Sequence, residues 1–147
     1  MQTRTHLADE VAPALQASVR LLVQRLRQSP AVEDDVTSSE TSVLSRLHRD
    51  GASTAAELAR LERITPQSMG STVAALEGRG LVTRQPDPDD GRRIVVSVTR
   101  QGNELLRRRR RARSERLSVA LQAEFTDEEL RQLQVAAPLI ERIAHRI

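Results

Sequence analysis

Apolar side chains recur along this chain at helical spacing, in segments that are separated by polar caps and turns. The first stripe lies near the N-terminus, with neighbours three or four residues apart: Leu7, Val11, Leu15, Val19, Leu22 and Leu26. This spacing predicts one amphipathic helix. We expect Pro13 either to belong to its first turn or to kink it, Ser29-Pro30 to end it, and the acidic residues 33–35 to form a loop.

The middle of the chain predicts three further helices, each opened by a threonine. Thr37 and Thr54 are each followed three residues later by a glutamate, which is the pattern of a capping box. Thr65 precedes a proline, which suits the first helical position. The predicted helices span residues 38–49, 55–61 and 66–77. A three-residue turn, 62–64, is predicted between the last two.

The apolar pattern then changes to that of a β-hairpin. Residues 81–85 and 93–98 are typical of strands, and the segment 86–91 between them holds proline, aspartate and glycine, which favour a turn. Thr99 is expected to cap a long helix that runs to about Ala123.

A last helix is predicted from the capping box of Thr126 and Glu129. Its apolar residues repeat at spacings of three and four, as in a heptad seam: Leu130, Leu133, Ala137, Ile140, Ala144 and Ile147. Pro138 interrupts the seam and is expected to kink the helix. The seam either packs on its own domain or joins the first helix in a dimer interface, and a shared interface buries both terminal stripes more easily.

The order of helix, short helix, turn, helix and two-stranded hairpin is that of a winged helix-turn-helix. We therefore expect a mainly α fold with a small β-wing, in a single domain over 1–147. Its DNA-binding lobe is predicted at 38–99, with dimerisation helices at 1–37 and 100–147. In such a lobe the second helix of the pair lies in the major groove of double-stranded DNA, with its N-terminal side chains against base edges.

The start of the 66–77 helix supplies the candidate major-groove residues. Their hydroxyl and amide groups suit both base edges and phosphates: Thr65, Gln67, Ser68, Ser71 and Thr72. Met69, Val73 and Leu76, on the opposite face, are predicted to be core residues. Gly70 costs roughly 1 kcal/mol in a helix interior relative to alanine, and close approach of the helix to DNA or to another helix would explain it.

Composition excludes several classes of site. The chain has no cysteine, which excludes disulfides, thiol sensing and cysteine-ligated metals, and its one aromatic side chain, Phe125, cannot form a base-stacking platform. His6, His48 and His145 lie far apart without metal-ligand spacing, and no catalytic motif is present. We expect no active site, cofactor or metal. No segment has the pattern of a signal peptide or a membrane span, so we expect a cytoplasmic protein without a membrane partner.

All 23 basic residues are arginines, and the net charge is only +3. Residues 38–99 hold eight arginines and eight acidic residues, whereas 100–116 hold eight arginines against two acidic residues. Five consecutive arginines, 107–111, cannot share one helix face, because five residues span roughly 400°. We expect ion pairs between Glu104 and Arg108 and between Arg111 and Glu115. The run is either a solvated, ion-paired surface or a positive field that attracts DNA.

From Ser53 to Gly102 the chain resembles the multiple-antibiotic-resistance regulator (MarR) family of bacterial winged-helix transcription factors. The family's wing pattern, in which a threonine and a glycine follow an aspartate by nine and twelve residues, falls without a gap on Asp90, Arg92, Thr99 and Gly102. The matching segments are Thr54-Ala-Ala-Glu-Leu-Ala59, Val73-Ala-Ala-Leu-Glu-Gly-Arg-Gly-Leu-Val82 with Arg84, Asp87-Pro-Asp-Asp-Gly-Arg92 and Val96-Ser-Val-Thr-Arg-Gln-Gly102. The likeness extends more loosely over the whole chain.

The resemblance implies a homodimer on a pseudo-palindromic duplex, with recognition helices in adjacent major grooves and wings in the flanking minor grooves. Carried over by position, Arg92 is the minor-groove arginine, and Asp90 holds its guanidinium. Alternatively, Arg92 is a solvated hairpin arginine that pairs with Asp89 or Asp90. Arg84 and Arg93 are candidate phosphate contacts, although Arg84 alternatively braces the wing.

Ser53 and Thr54 are either helix caps or phosphate contacts, because a helix N-terminus itself binds phosphate. The chain departs from some relatives in having no basic residue between Thr65 and Glu77. Base contacts would then rest on amide and hydroxyl groups.

The resemblance also implies a ligand-responsive repressor, whose effector is a small phenolic or aromatic carboxylate compound bound between the dimerisation helices and the DNA-binding lobe. The pocket residues are not assigned; Arg20, Arg46 and His48 are either anion contacts or ordinary surface residues. Two other functions stay open: a small-molecule-binding helical dimer without DNA binding, and a non-specific architectural DNA binder.

Overall fold

The computed structural model describes residues 2–28 and 36–147. These residues form six helices and three short strands, which confirms a mainly α fold with a small β-wing. In chain order the elements are α1 (Gln2–Arg27), α2 (Ser38–Asp50), β1 (Ser53–Thr54), α3 (Ala55–Glu62), α4 (Pro66–Gly78), β2 (Val82–Pro86), β3 (Ile94–Val98), α5 (Arg100–Glu124) and α6 (Asp127–Ala144). Within the described ranges, no helix is long and apolar enough to cross a membrane.

The two terminal helices differ in detail from their sequence predictions. Pro13 lies in the interior of α1, so the first-turn alternative is wrong. The predicted stop at Ser29-Pro30 and the predicted loop at 33–35 lie outside the described residues. Helix α6 continues through Pro138 and ends at Ala144, so Ile147, the last position of the predicted seam, lies beyond the helix.

The predicted capping residues begin their helices. Thr37, Thr54 and Thr126 each accept a hydrogen bond from the backbone N–H three residues later, and the glutamate at that position accepts one from the threonine N–H. Thr65 accepts from the N–H of Ser68 at 3.1 Å. These bonds satisfy N–H groups that a helix start leaves without an intrahelical partner.

The turn between α3 and α4 depends on one residue in a left-handed conformation. Arg63 has a φ of 56° and follows the last residue of α3. Its N–H donates to the carbonyl of Arg60 at 3.3 Å, and the N–H of Ile64 donates to that of Ala59 at 3.0 Å. The two helices are therefore joined by the short turn that a helix-turn-helix requires.

The three strands form one antiparallel sheet in the order β1-β3-β2. The predicted hairpin of β2 and β3 is confirmed. In the observed register, Arg84 lies opposite Val96. Strand β1 was missed, because two residues are too short to show the alternation of a strand. It pairs Ser53 with Val96 and so joins the start of α3 to the wing.

The hydrophobic core lies entirely within residues 36–105 of the described chain. Met69, Val73 and Leu76 are fully buried in it, as predicted. The described residues fall into two compact units, one made of 2–28 with 112–147 and the other of 36–111. The first of these contributes no residue to the core.

The threonine and glycine of the wing pattern join the start of α5 to the turn after α4. The hydroxyl of Thr99 donates to the carbonyl of Gly80 at 2.6 Å and accepts from the N–H of Gly102 at 3.1 Å. A Cβ at Gly102 would lie 2.7 Å from Cγ2 of Val98 and still closer to the carbonyl oxygen of Leu81. Glycine is therefore required at this position by close packing.

Candidate nucleic-acid interface

The N-terminal turns of α4 present a polar surface opposite a buried apolar face. Of the predicted major-groove residues, Thr72 is half-buried and the other four are exposed. Thr65, Ser68 and Thr72 form local hydrogen bonds: Thr65 donates to the Ser68 hydroxyl at 2.8 Å, and Thr72 donates to the Ser68 carbonyl at 3.0 Å. Gln67 and Ser71, four residues apart on one face, have no side-chain hydrogen bond to any other described residue.

Gly70 lies between these two polar residues in sequence, and its position is open. A Cβ placed on it would meet nothing within 4 Å. Packing among the described residues therefore does not demand glycine here. Its absent side chain leaves room for a molecule outside the chain.

The tip of the wing is a turn closed by its own acidic side chains. The carboxylate of Asp87 accepts from the N–H of Asp89 at 2.9 Å, and that of Asp90 accepts from the N–H of Arg92 at 3.1 Å. Asp90 therefore holds the backbone of Arg92, whereas the sequence-based expectation was that it holds the guanidinium. Both residues are exposed.

The guanidinium of Arg92 is unpaired among the described residues. The alternative prediction, in which this guanidinium pairs with Asp89 or Asp90, is wrong. Because Arg92 projects from the turn without a partner, its five N–H donors are available to a ligand.

The two other wing arginines are each paired with a carboxylate. Nε of Arg84 lies 3.3 Å from Oε2 of Glu77 in α4, so the bracing alternative describes this residue. Nη2 of Arg93 lies 3.0 Å from Oε1 of Glu57 in α3, and its Nη1 lies 3.9 Å from Oδ2 of Asp87. Glu57 was recognised in the sequence as a capping residue only, and its partner lies 36 residues away.

Glu57 also occupies the N-terminus of α3, where Ser53 and Thr54 were candidate phosphate contacts. Its Oε2 accepts from the Ser53 hydroxyl at 3.0 Å and from the Thr54 N–H at 3.1 Å. The backbone N–H of Thr54, the two hydroxyls and the charge of Arg93 lower the pKa of Glu57 from its usual value. Ser53 and Thr54 are therefore helix-capping residues around an ionised carboxylate in this structure.

The arginine run on α5 divides into inward and outward side chains. Arg109 points inward and donates to the Thr41 hydroxyl and to the Val36 carbonyl, the latter at 3.2 Å. The neighbouring arginines of the run are exposed: Arg107, Arg108, Arg110 and Arg111.

The acidic partners of this run differ from the prediction. Glu104 lies 3.1 Å from Arg100 and 4.0 Å from Arg107, so the expected pair with Arg108 is wrong. The pair expected between Arg111 and Glu115 is also not among the contacts of the described residues. Glu104 pairs with Arg100 one turn before it and with Arg107 one turn after it, and Arg108 is exposed without a partner among the described residues.

Two of the three candidate anion contacts already have partners. Nε of Arg46 lies 2.7 Å from Glu62, and Nδ1 of His48 lies 2.7 Å from Oδ1 of Asn103. Arg20 is exposed on α1 and unpaired within the described ranges. Those ranges hold no group of three or more His, Asp or Glu side chains placed to bind a metal.

Comparisons with known proteins place the chain among bacterial transcriptional regulators. A model of the MarR family matches residues 36–94. An HTH-type transcriptional regulator of Mycobacterium leprae is 39% identical over 115 residues, which cover 78% of this chain and 77% of the relative. The HTH-type transcriptional repressor NicR of Pseudomonas putida is 33% identical over 79 residues, which cover 54% of this chain and 50% of the repressor. The crystal structure of a transcriptional regulator protein from Pseudomonas aeruginosa matches with a TM-score of 0.74 and 34% identity, covering 92% of this chain and 94% of that one.

Proposed function

This chain belongs to the MarR family of transcriptional regulators, and we propose that it is a homodimeric repressor of a pseudo-palindromic operator. Regulators of this family bind DNA and act as dimers; they are not enzymes. The repressor role is supported by the relative named a transcriptional repressor. The residues proposed to contact DNA are Gln67 and Ser71 in the major groove and Arg92 in the minor groove.

The exposed start of α4 supports the major-groove contacts. Gln67 offers an amide that forms two parallel hydrogen bonds with adenine, and Ser71 offers a hydroxyl that suits several base edges. Thr65, Ser68 and Thr72 keep part of their hydrogen-bonding capacity after their local bonds and are proposed to contact nearby base edges or phosphates. Base contacts by α4 do not require a basic side chain, because amide and hydroxyl groups make them.

The observation that carries the proposal is the unpaired guanidinium of Arg92. The 38–99 segment has equal numbers of arginines and acidic residues, so its total charge does not favour DNA. The distribution of ion pairs favours DNA binding at the wing tip, because Arg84 and Arg93 are paired with carboxylates and Arg92 is not. An arginine at the tip of a wing suits the negative potential of a narrow minor groove. Arg84 and Arg93 are proposed to contact phosphate only where their ion pairs open.

The apolar stripes of the terminal helices support the homodimer. Leu7 on α1 is 59% exposed and Leu133 on α6 is 44% exposed, and α6 has no buried residue. Stripes of this kind on a monomer indicate an interface. In a two-fold dimer the recognition helices would lie one DNA turn apart, about 34–36 Å.

We also propose that the effector is a small phenol or aromatic carboxylate, as the family resemblance implies. A test is release of operator DNA by a panel of hydroxybenzoates. Arg20, which has no partner among the described residues, is the candidate contact for the carboxylate. We expect Arg20→Gln to bind operator normally and to need more effector for release.

The central experiment is selection of genomic fragments bound by the protein, followed by titration of the Arg92→Ala variant against the selected operator. The variant is expected to bind about ten-fold or more weakly, and the slope of log affinity against log salt is expected to fall by about 0.9, the value for one phosphate. Arg142→Ala, an arginine of α6, is the matched control. Unchanged affinity and slope for Arg92→Ala would contradict the wing assignment.

The same selection separates the alternative functions. A repressor enriches fragments that share a palindromic sequence. A helical dimer without DNA binding enriches none, and an architectural binder enriches fragments without a common sequence.

A further inference from the structure

Each strand of the wing hairpin is tied to one helix of the helix-turn-helix by an ion pair. Arg84 in β2 pairs with Glu77 in α4 at 3.3 Å. Arg93, immediately before β3, pairs with Glu57 in α3 at 3.0 Å. All four side chains are partly exposed, so these pairs are oriented contacts at the surface of the lobe rather than part of its core.

The Glu57 carboxylate is the better connected of the two acidic partners. Its two oxygens accept from the Ser53 hydroxyl, the Thr54 N–H and the guanidinium of Arg93. Three segments meet there: β1, the first turn of α3 and the residue that precedes β3. A carboxylate held by several donors has a fixed orientation, so it fixes the position of its arginine partner.

Arg93 is in turn bonded to the wing tip through its backbone. Its N–H donates to the carbonyl of Asp90 at 2.9 Å, and its carbonyl accepts from the N–H of Asp87 at 2.8 Å. Arg92 is its direct neighbour. The side chain of Arg93 is therefore anchored to α3, and its backbone closes the turn from which Arg92 projects.

We propose that Glu57 is a positioning residue for DNA recognition: by holding Arg93, it sets where the wing turn presents Arg92 relative to α4. The proposal rests on the proposed role of Arg92 in the minor groove. In this proposal Arg93 stays paired with Glu57 and supports the wing. The alternative is that Arg93 leaves Glu57 and contacts a DNA phosphate.

The two roles of Arg93 predict opposite effects of removing the Glu57 charge. If Arg93 leaves Glu57 to bind phosphate, the carboxylate competes with DNA, and its neutralisation tightens operator binding. If Glu57 positions the wing, neutralisation weakens binding, even though it removes a negative charge from a DNA-binding lobe. Glutamine at this position retains the capping box, because its amide oxygen still accepts from the Thr54 N–H.

The experiment is a double-mutant cycle of Glu57→Gln and Arg93→Gln, titrated against the selected operator at several salt concentrations. We expect each variant to bind about ten-fold more weakly and the double variant to be no weaker than either, because the two residues act as one unit. The salt slope should fall in all three by up to the 0.9 that Arg92→Ala loses, because each variant acts through the Arg92 contact. Glu128→Gln, which removes an ion-paired carboxylate from α6, is the matched control and should bind as the parent does.

Tighter or unchanged binding by Glu57→Gln would overturn the proposal. A fall in salt slope by about 0.9 for Arg93→Gln that persists in the Arg92→Ala background would also overturn it, because it marks a phosphate contact of Arg93 itself. Urea unfolding of each variant separates loss of folding from loss of positioning. Measurements in the Arg92→Ala background separate the minor-groove role of Arg92 from the positioning role of Glu57. If Arg92→Ala alone has no effect, the wing assignment fails. If it weakens binding and Glu57→Gln weakens the Arg92→Ala protein further by the full factor, only the positioning role fails.

Discussion

Two helical glycines differ in what their surroundings demand. Gly102 in α5 lies against the Leu81 carbonyl and Val98, where a methyl group has no room. Gly70 in α4 faces open space on the surface proposed to meet DNA. The same residue type is therefore a packing requirement at one position and, at the other, a cost to helix stability that the monomer does not explain.

Alanine substitution is expected to act in opposite directions at these two glycines. Gly70→Ala should raise the free energy of unfolding by about 1 kcal/mol, because alanine favours the helix. Gly102→Ala should lower it by about 1–3 kcal/mol through overpacking. Urea unfolding measures both. Gly70→Ala should also weaken operator binding, and a stabilised variant with full affinity would show that α4 does not approach DNA closely at this point.

At the scale of the elements, an ion-pair network joins α2 to the end of α3. The Glu62 carboxylate accepts from the Ser42 hydroxyl at 2.6 Å and from Nε of Arg46 at 2.7 Å. Arg46 also lies 3.6 Å from Asp50. This network lies directly before Arg63, whose left-handed conformation turns the chain into α4. It therefore fixes the end of α3 against α2, directly before the turn of the helix-turn-helix.

The pKa of Glu62 gives this network a pH dependence. Burial raises the pKa, but hydrogen bonds from Ser42 and Arg46 and the charges of Arg46 and Arg49 outweigh burial and lower it below 4.5. A lowered pKa in the folded state means that the stabilisation is present above pH 4.5 and is lost as the pH falls through the folded pKa.

We therefore expect Glu62→Gln to be less stable than the parent at pH 7, by about 1–2 kcal/mol, and the difference to close in acid. Urea unfolding at pH 7 and pH 3 provides the measurement. Glu128→Gln is the control, because its carboxylate is exposed and its partner Arg131 lies 3.4 Å away at the surface. A gap that does not narrow at all between pH 7 and pH 3 would show that Glu62 contributes through packing instead of charge.

At the scale of the whole molecule, the buried core belongs to only one of the two compact units. All core residues lie within 36–105, while the apolar side chains of α1 and α6 are largely exposed. The terminal helices need a partner surface to bury these stripes. A second copy of the chain offers the matching pair of helices, in line with the dimers of its family.

Charge inserted into the α6 seam should dissociate the dimer. We expect Leu133→Glu combined with Ile140→Glu to sediment as a monomer and to lose most of its operator affinity, because the two half-sites are then bound independently. Gln134→Glu places a single negative charge on α6 outside the seam and should remain dimeric. A dimer that survives the double substitution would place the interface elsewhere.

The exposed arginines of α5 form a positively charged surface on the molecule. Arg107, Arg108 and Arg111 lie on its outward side, and Arg109 contacts α2. Neutralising the three outward residues with glutamine should slow association with operator by about ten-fold at low salt and have little effect at high salt. Stopped-flow kinetics checks this, with Arg131, Arg142 and Arg146 neutralised together as the control. Equal rates for both triple variants would identify the run as solvated surface only.

The sequence by itself determined the six helices and the wing hairpin, because their determinants are local. A cap such as Thr54 bonds to a group three residues away, and an apolar stripe records which face of a helix is buried. The winged helix-turn-helix, its core face at Met69 and the cap at Thr99 follow from such short-range patterns. Tertiary structure decided which partner each charged side chain takes. Glu57 and Arg93 are 36 residues apart, and only the pairing of β1 with β3 brings their segments together. Ion pairs at the surface depend on geometry that no local pattern encodes, and for that reason only the folded chain showed Arg92 unpaired beside two neutralised neighbours.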